Sequence, residues 1–373
     1  MTPMVKTLAK AVADGMLRCA IGIGHHKNGV TTVRGAGVSQ RIVSFGELLL
    51  RLSAPGRERM LQSPRLDVHV GGAEANVAVM LARLGHDAAM VSTVADNALG
   101  ETAVGELRRH GVDTRHVRSA DGRMGLYFLV HGAMQRPSEV LYDRADSAFV
   151  RSVDYDWDAL LDGAQWLHLS GVSPALGAAT AQATIDAARA ARRLGVKVSF
   201  DGNFRGKLWQ AWDGDAAGIL RQIFAEADLV FADHRDIAVV LGERVSSEGE
   251  QAVAEAATRA FAAFPNLRWM ACTLRTQHSV DRHTLSAVMV ERDGTRRRAP
   301  DYALEGIVDR IGTGDAFAAG VLHGLATEMP ANERLHFGLG AACLKHSIPG
   351  DFCIASAAEI ADLISQAGFH VRR

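Results

Sequence analysis

The chain has 373 residues, 48% apolar and 22% charged, with a formal net charge of -1. That length holds one large α/β domain or two ordinary ones with a sizeable core, and the near-neutral balance argues against a nucleic-acid binder or a protein drawn to acidic membranes. Four cysteines, Cys19, Cys272, Cys343 and Cys353, form no C-x-x-C pair, which speaks against a disulfide framework and fits a reducing cytoplasm.

Residues 1–40 are poor in acids and lack an apolar block long enough for a secretory signal, so they read as a mobile N-terminal extension ahead of the folded chain. From Arg41 the pattern alternates. "RIVSFGELLLRL", "AAMVSTVA", "QWLHLSG", "VKVSFDGN", "DLVFAD" and "RWMACTL" are short, rich in β-branched residues and bounded by Gly, Asp or Asn, which predicts buried strands. Between them "ANVAVMLARLG", "GETAVGELRRHG", "AATAQATIDAARAARRLG" and "EQAVAEAATRAFAAF" predict helices, several closed by a glycine. The alternation implies an α/β fold, a doubly wound and mostly parallel sheet with helices on both faces. Residues 48–70 and 122–145 break it: consecutive short strands there predict a small separate sheet covering the carboxyl ends of the parallel strands. No apolar run approaches the roughly 20 residues of a membrane span.

Two stretches carry candidate chemistry. In "VGGAEANVAVMLARLG", residues 70–85, Gly71 and Gly72 run into a helix with Asn76 in its first turns, and a glycine pair permits close approach of a small polar ligand. In "DRIGTGDAFAAG", residues 309–320, Gly312, Thr313 and Gly314 place Asp315 on the first turn of a helix. Such a turn has unpaired N–H groups and a partial positive charge that favour anions. An acid there serves either as a helix cap or as a general base for an attacking hydroxyl.

Together the two stretches resemble the paired signatures of the PfkB/ribokinase carbohydrate kinases, over about residues 41–366, with 367–373 left as a tail. Arg310 and Ile311 stand where many sugar kinases of that family have two threonines. In this, and in "GLYFLVHGAMQRPSEVLYDRADSA" and "LKHSIPGDF", the chain is similar to the group acting on 2-keto-3-deoxygluconate. The resemblance implies a ribokinase-like α/β domain with a β-sheet lid, ATP and Mg2+ as cofactors, a homo-oligomer, and phosphorylation of a sugar acid with Asp315 as base. It further implies that Gly71, Gly72, Asn76, Tyr127, Tyr142, Arg144, Arg205 and Asp351 form the sugar-acid site. Thr273 and Arg275, with Ala342 and His346 for the adenine, would meet the nucleotide. Asp233 and Asp236 would stand at the metal, replacing an expected Asn-x-x-Glu. A carboxylate substrate calls for a guanidinium, which Arg144 or Arg205 supplies unless a neighbour such as Asp143 or Asp146 neutralises it.

Two other stretches mislead. "GNFRGK" is one residue short of a phosphate loop, and "GIGHHKNG" lacks the glycine spacing of a dinucleotide site. A neutral-sugar kinase and a catalytically silent sugar- or nucleotide-binding regulator are the competing readings.

Overall fold

The computed structural model describes residues 39–365. The extension expected at residues 1–40 falls almost entirely outside them, as does the tail at 367–373. The described strands are β1 (Arg41–Phe45), β2 (Leu49–Ser53), β3 (Asp67–Gly71), β4 (Asp87–Ala95), β5 (Val117–Ala120), β6 (Gly125–Val130), β7 (Glu139–Asp143), β8 (Trp166–Ser170), β9 (Lys197–Asp201), β10 (Leu229–Phe231), β11 (Trp269–Gln277), β12 (Arg282–Glu291), β13 (Arg296–Arg298) and β14 (Tyr302–Glu305).

The main sheet runs β13-β12-β11-β10-β9-β8-β1-β4-β5, with β14 also on β12. Pairing is parallel from β11 through to β5. At the other edge β12 pairs antiparallel with β11, β13 and β14. Alternate side chains feed opposite faces, as a pleated strand requires: on β8, Leu167 joins the core under one helical layer and Trp166 the core under the other. Burial on both faces is why these strands read as continuous apolar runs.

One predicted strand divides. "RIVSFGELLLRL" supplies β1 to the main sheet and β2 to a second sheet. The chain turns at Gly46, where a Cβ would lie 2.1 Å from the Glu74 carboxylate. The second sheet has the order β3-β2-β6-β7 and is built from the two segments that broke the alternation. Strand order reverses between β1 and β8, and open α/β sheets bind ligands outside the carboxyl ends at such a point.

Candidate active site

A cleft of about 660 Å³ opens at those carboxyl ends, with the small sheet forming one wall. At its floor the helix Thr313–Ala326 begins. Gly312 precedes it with φ 76° and accepts from Ala316 N–H at 2.9 Å, and no side chain caps the first turn. A Cβ on Gly312 would sit 2.0 Å from the Asp351 carbonyl oxygen, whereas one on Gly314 would meet nothing within 4 Å. The fold therefore demands the first glycine. The second leaves space on the cleft side, where an anion could approach the uncapped amides.

Asp315 is half-buried and lines the cleft. Its Oδ2 accepts from Asn76 Nδ2 at 2.6 Å, which leaves Oδ1 for a substrate. Burial raises its pKa to about 6; repulsion from Asp351 adds to this, while the Asn76 hydrogen bond, Arg205 and Lys345 oppose it. An acid poised there is ionised at neutral pH and still basic enough to take a proton.

The glycine pair serves packing around two acids. A Cβ on Gly71 would lie 2.2 Å from Asp351 Oδ2, and one on Gly72, at φ 146°, 2.3 Å from the Glu47 carbonyl oxygen. Tyr127 donates its hydroxyl to Asp351 at 2.7 Å, and burial raises Asp351 to about 6 against the pull of Arg51 and Tyr127. Tyr142 faces the same space, 6.5 Å from the Tyr127 ring.

Arg144 and Arg205 both line the cleft, yet they differ in charge balance. Arg144 is 7% exposed and paired with Glu47, itself 2% exposed, through Nε at 2.7 Å. Its partner is thus neither Asp143, which pairs with Arg123, nor Asp146. Arg205, just before the helix Gly206–Gln210, makes no close ion pair among the described residues, though its charge reaches Asp201 and Asp315. An Arg144→Ala variant strands a buried carboxylate and is expected to lose about 3–5 kcal/mol of stability. Chemical denaturation would check this, and Glu47→Gln with Arg144→Ala together should recover part of the loss.

Of the residues expected at the nucleotide, Arg275 lines the cleft and Thr273, Ala342 and His346 do not. Ala342 is 1% exposed in the core, and His346 Nδ1 is bonded to the Ala342 carbonyl at 2.7 Å. Arg310 stands beside Arg275 on the wall, and neither has an acid partner among the described residues. Burial in the cleft, with the like charge of Arg310, pulls Arg275 down to about 10.

Asp233 and Asp236 form a capping box on the helix His234–Leu241. Asp233 accepts from the Arg235 backbone at 2.7 Å and its guanidinium Nε at 2.8 Å, and Asp236 accepts from Asp233 N–H at 2.9 Å. Neither lines the cleft. Among the described residues no three His, Cys, Asp or Glu side chains converge as a metal-ligand set. Capping and the Arg235 guanidinium engage both Asp233 oxygens and Asp236 Oδ2, so the pair does not fit direct ligation as a set.

Sequence reasoning passed over Glu47, Arg51, Glu74, Asp309 and Lys345, all buried near the cleft. Burial pushes Glu74 up to about 7, opposed by hydrogen bonds from Ser173 and Ser170. The available signal was a charge set inside an apolar run, as in "GELLLRL" and "AACLKHS", because such charges are seldom buried without a partner or a task.

Residues 39–351 match the model of the pfkB family carbohydrate kinases. The chain is 32% identical over 325 residues to the 2-dehydro-3-deoxygalactonokinase of Haloferax volcanii, covering 87% of this chain and 96% of that one. It superposes with a TM-score of 0.83 and 39% identity on the 2-dehydro-3-deoxygluconokinase of Thermotoga maritima, covering 87% and 99%. A sugar kinase from Pyrococcus horikoshii solved with ATP shares the fold at 23% identity and a TM-score of 0.68, over 85% and 96% of the two chains. With the signature loop, the cleft and the ribokinase-like α/β sheet in place, the chain belongs to the pfkB family of carbohydrate kinases.

Proposed function

We propose that this enzyme transfers the γ-phosphoryl group of ATP to the 6-hydroxyl of 2-keto-3-deoxy-D-gluconate. The observation that carries the reading is one cleft holding both a half-buried acid at an uncapped helix start, Asp315, and a guanidinium with no close ion pair, Arg205. A sugar acid needs both; a neutral sugar needs only the first.

Asp315 Oδ1 takes the hydroxyl proton as the oxygen attacks, and the amides of Gly312, Thr313 and Gly314 stabilise charge on the phosphoryl group in transit, typically a few kcal/mol per donor. Arg205 binds the substrate carboxylate, with Tyr127, Tyr142, Asn76, Gly71, Gly72 and Asp351 shaping the sugar pocket. Arg144 braces that pocket through Glu47. Arg275 and Arg310 face the polyphosphate, and half-buried Thr273 with Ala342 and His346 in the core support the adenine side. Mg2+ enters on the nucleotide, held by phosphate oxygens and water as is usual for this ion; Asp233 and Asp236 act on it through their field alone.

The small sheet is the lid of residues 48–70 and 122–145. Its four strands align Val68, Leu52, Phe128 and Leu141 across one face, with Val68 58% and Leu141 66% exposed. That stripe supports a homo-oligomer formed lid to lid. Unpaired thiols at Cys272, Cys343 and Cys353 fit a cytoplasmic setting.

The test is a coupled assay with ATP and a panel of 2-keto-3-deoxygluconate, its galacto epimer, fructose and ribose. The reading expects the acids to dominate; a higher kcat/KM for fructose or ribose sinks it. The likeness to the Haloferax enzyme favours the galacto epimer as the second reading. Removing the guanidinium in Arg205→Met is expected to raise KM for the sugar acid about 10–100-fold while KM for ATP stays within a few-fold. An unchanged sugar-acid KM would assign the carboxylate elsewhere.

A further inference from the structure

Beneath the Gly312 turn lies a group of buried charges whose two cations have no part in the chemistry above. Lys345, in the last turn of the helix Ala331–Lys345, is 0% exposed. Its Nζ donates to the Ile348 carbonyl at 2.8 Å, and its Cε lies 3.4 Å from where a Cβ on Gly312 would stand. Arg51, on β2, is also 0% exposed; it donates to Asp309 Oδ2 at 2.7 Å and lies 3.1 Å from Asp351 Oδ1. Asp309 in turn accepts from Ile311 N–H and Gly350 N–H, each at 3.0 Å. Two cations and two acids thus join the small sheet, the signature loop and the segment bearing Asp351.

Stability gives little reason to keep Lys345. Burying an ammonium costs several kcal/mol before its partners repay any of it, and only one of its three N–H donors has a hydrogen-bond acceptor here. An apolar side chain of similar shape would often do as well. The position gives a better reason, since a charge in a dry interior acts strongly on groups above it.

We propose that Lys345 is a positioning residue whose ammonium is a fixed positive charge beneath the Gly312–Asp315 turn, acting on the anionic centre above, with Arg51 holding the loop to the small sheet. The proposal rests on Asp315 being the base. Asp315 is faced by Asn76 from the helix Ala73–Arg83, Asp201 from β9, Arg205, Asp351 and Lys345. Burial lowers the Lys345 pKa, Asp309, Asp351 and Cys353 oppose this and Arg51 adds to it, and the Lys345 charge also reaches His69 and His131 on the small-sheet side. Lys345 favours the ionised form of Asp315, so its removal raises the proton affinity of the base.

The experiment is Lys345→Met, assayed against pH with the sugar the panel accepts best. The expected result is a kcat lower by about 10–100-fold, KM values for both substrates within about three-fold, and an acid limb of kcat moved upward by roughly half a pH unit or more. A purely structural lysine would lower active enzyme without moving the limb, and an unmoved limb overturns the proposal. Should the single variant fail to fold, Lys345→Met with Asp309→Asn removes an opposing pair of charges, and the same limb is read. In the wild type, NMR of the Lys345 ammonium must show it protonated from pH 6 to 9, and a neutral amine in that range also overturns it. Because the readout needs no particular sugar, failure of the sugar-acid reading leaves this test standing, while an active Asp315→Asn enzyme would remove the base reading itself.

Discussion

An Asp315→Asn enzyme is expected to fold, to bind ATP nearly as well as the wild type, and to turn over about 10²–10⁴-fold more slowly, the usual worth of a positioned general base. The amide oxygen can still accept from Asn76, so the 2.6 Å contact that orients the side chain has a substitute. What disappears is the ability to hold a proton. Wild-type kcat should fall as pH drops through about 6, where Asp315 protonates, and the variant should lack that limb. The folded-state pKa lies above that of an unfolded aspartate, so between the two values the folded protein binds more protons and stability declines as pH rises. Above pH 6 the Asn variant, freed of this penalty, should melt no lower than the wild type. Calorimetric ATP titration, pH-rate profiles and thermal melts check the three parts, and undiminished turnover would end the assignment.

Gly312→Ala and Gly314→Ala are expected to fail in opposite ways. At Gly312 the new methyl meets a backbone carbonyl at 2.0 Å in a left-handed conformation. Neither side can yield, so a loss of more than about 3 kcal/mol is expected. At Gly314 there is open space, and alanine is the better helix former by up to about 1 kcal/mol. That variant should melt at or slightly above the wild-type temperature while kcat falls at least about ten-fold, because the methyl occupies the approach to the amides. Full activity in Gly314→Ala would show that no ligand comes close there.

The alternation of strands and helices was legible because the buried strands are short and apolar on both faces, while the helices carry their own period and several end at a glycine. The small sheet was legible for the complementary reason: its half-exposed strands interrupt that rhythm. The antiparallel edge formed by β12, β13 and β14 was not, since "RRR" and "YALE" carry no strand signal apart from the partner they pair with. Asp315 and its glycines could be picked out because their roles are local, fixed within one turn of helix. Asn76, expected in the sugar-acid site, meets Asp315 across 239 positions, and nothing local announces that contact.

The partner of Arg144 marks the limit. Local reasoning offered Asp143 and Asp146, one and two positions away, and the fold chose Glu47, 97 positions upstream. Likewise Arg51 reaches Asp309 across 258 positions, and nothing in either segment announces the other. The sequence by itself determined the class of fold, the glycine-framed helix start and the acid placed upon it, because propensity, capping and glycine sterics act between neighbours. Only the tertiary structure decided which guanidinium is tied up in a buried ion pair, Arg144, which line the cleft without one, and which charges are sealed beneath the turn. Charge pairing depends on distance in space and on burial, and both are set by how remote segments pack.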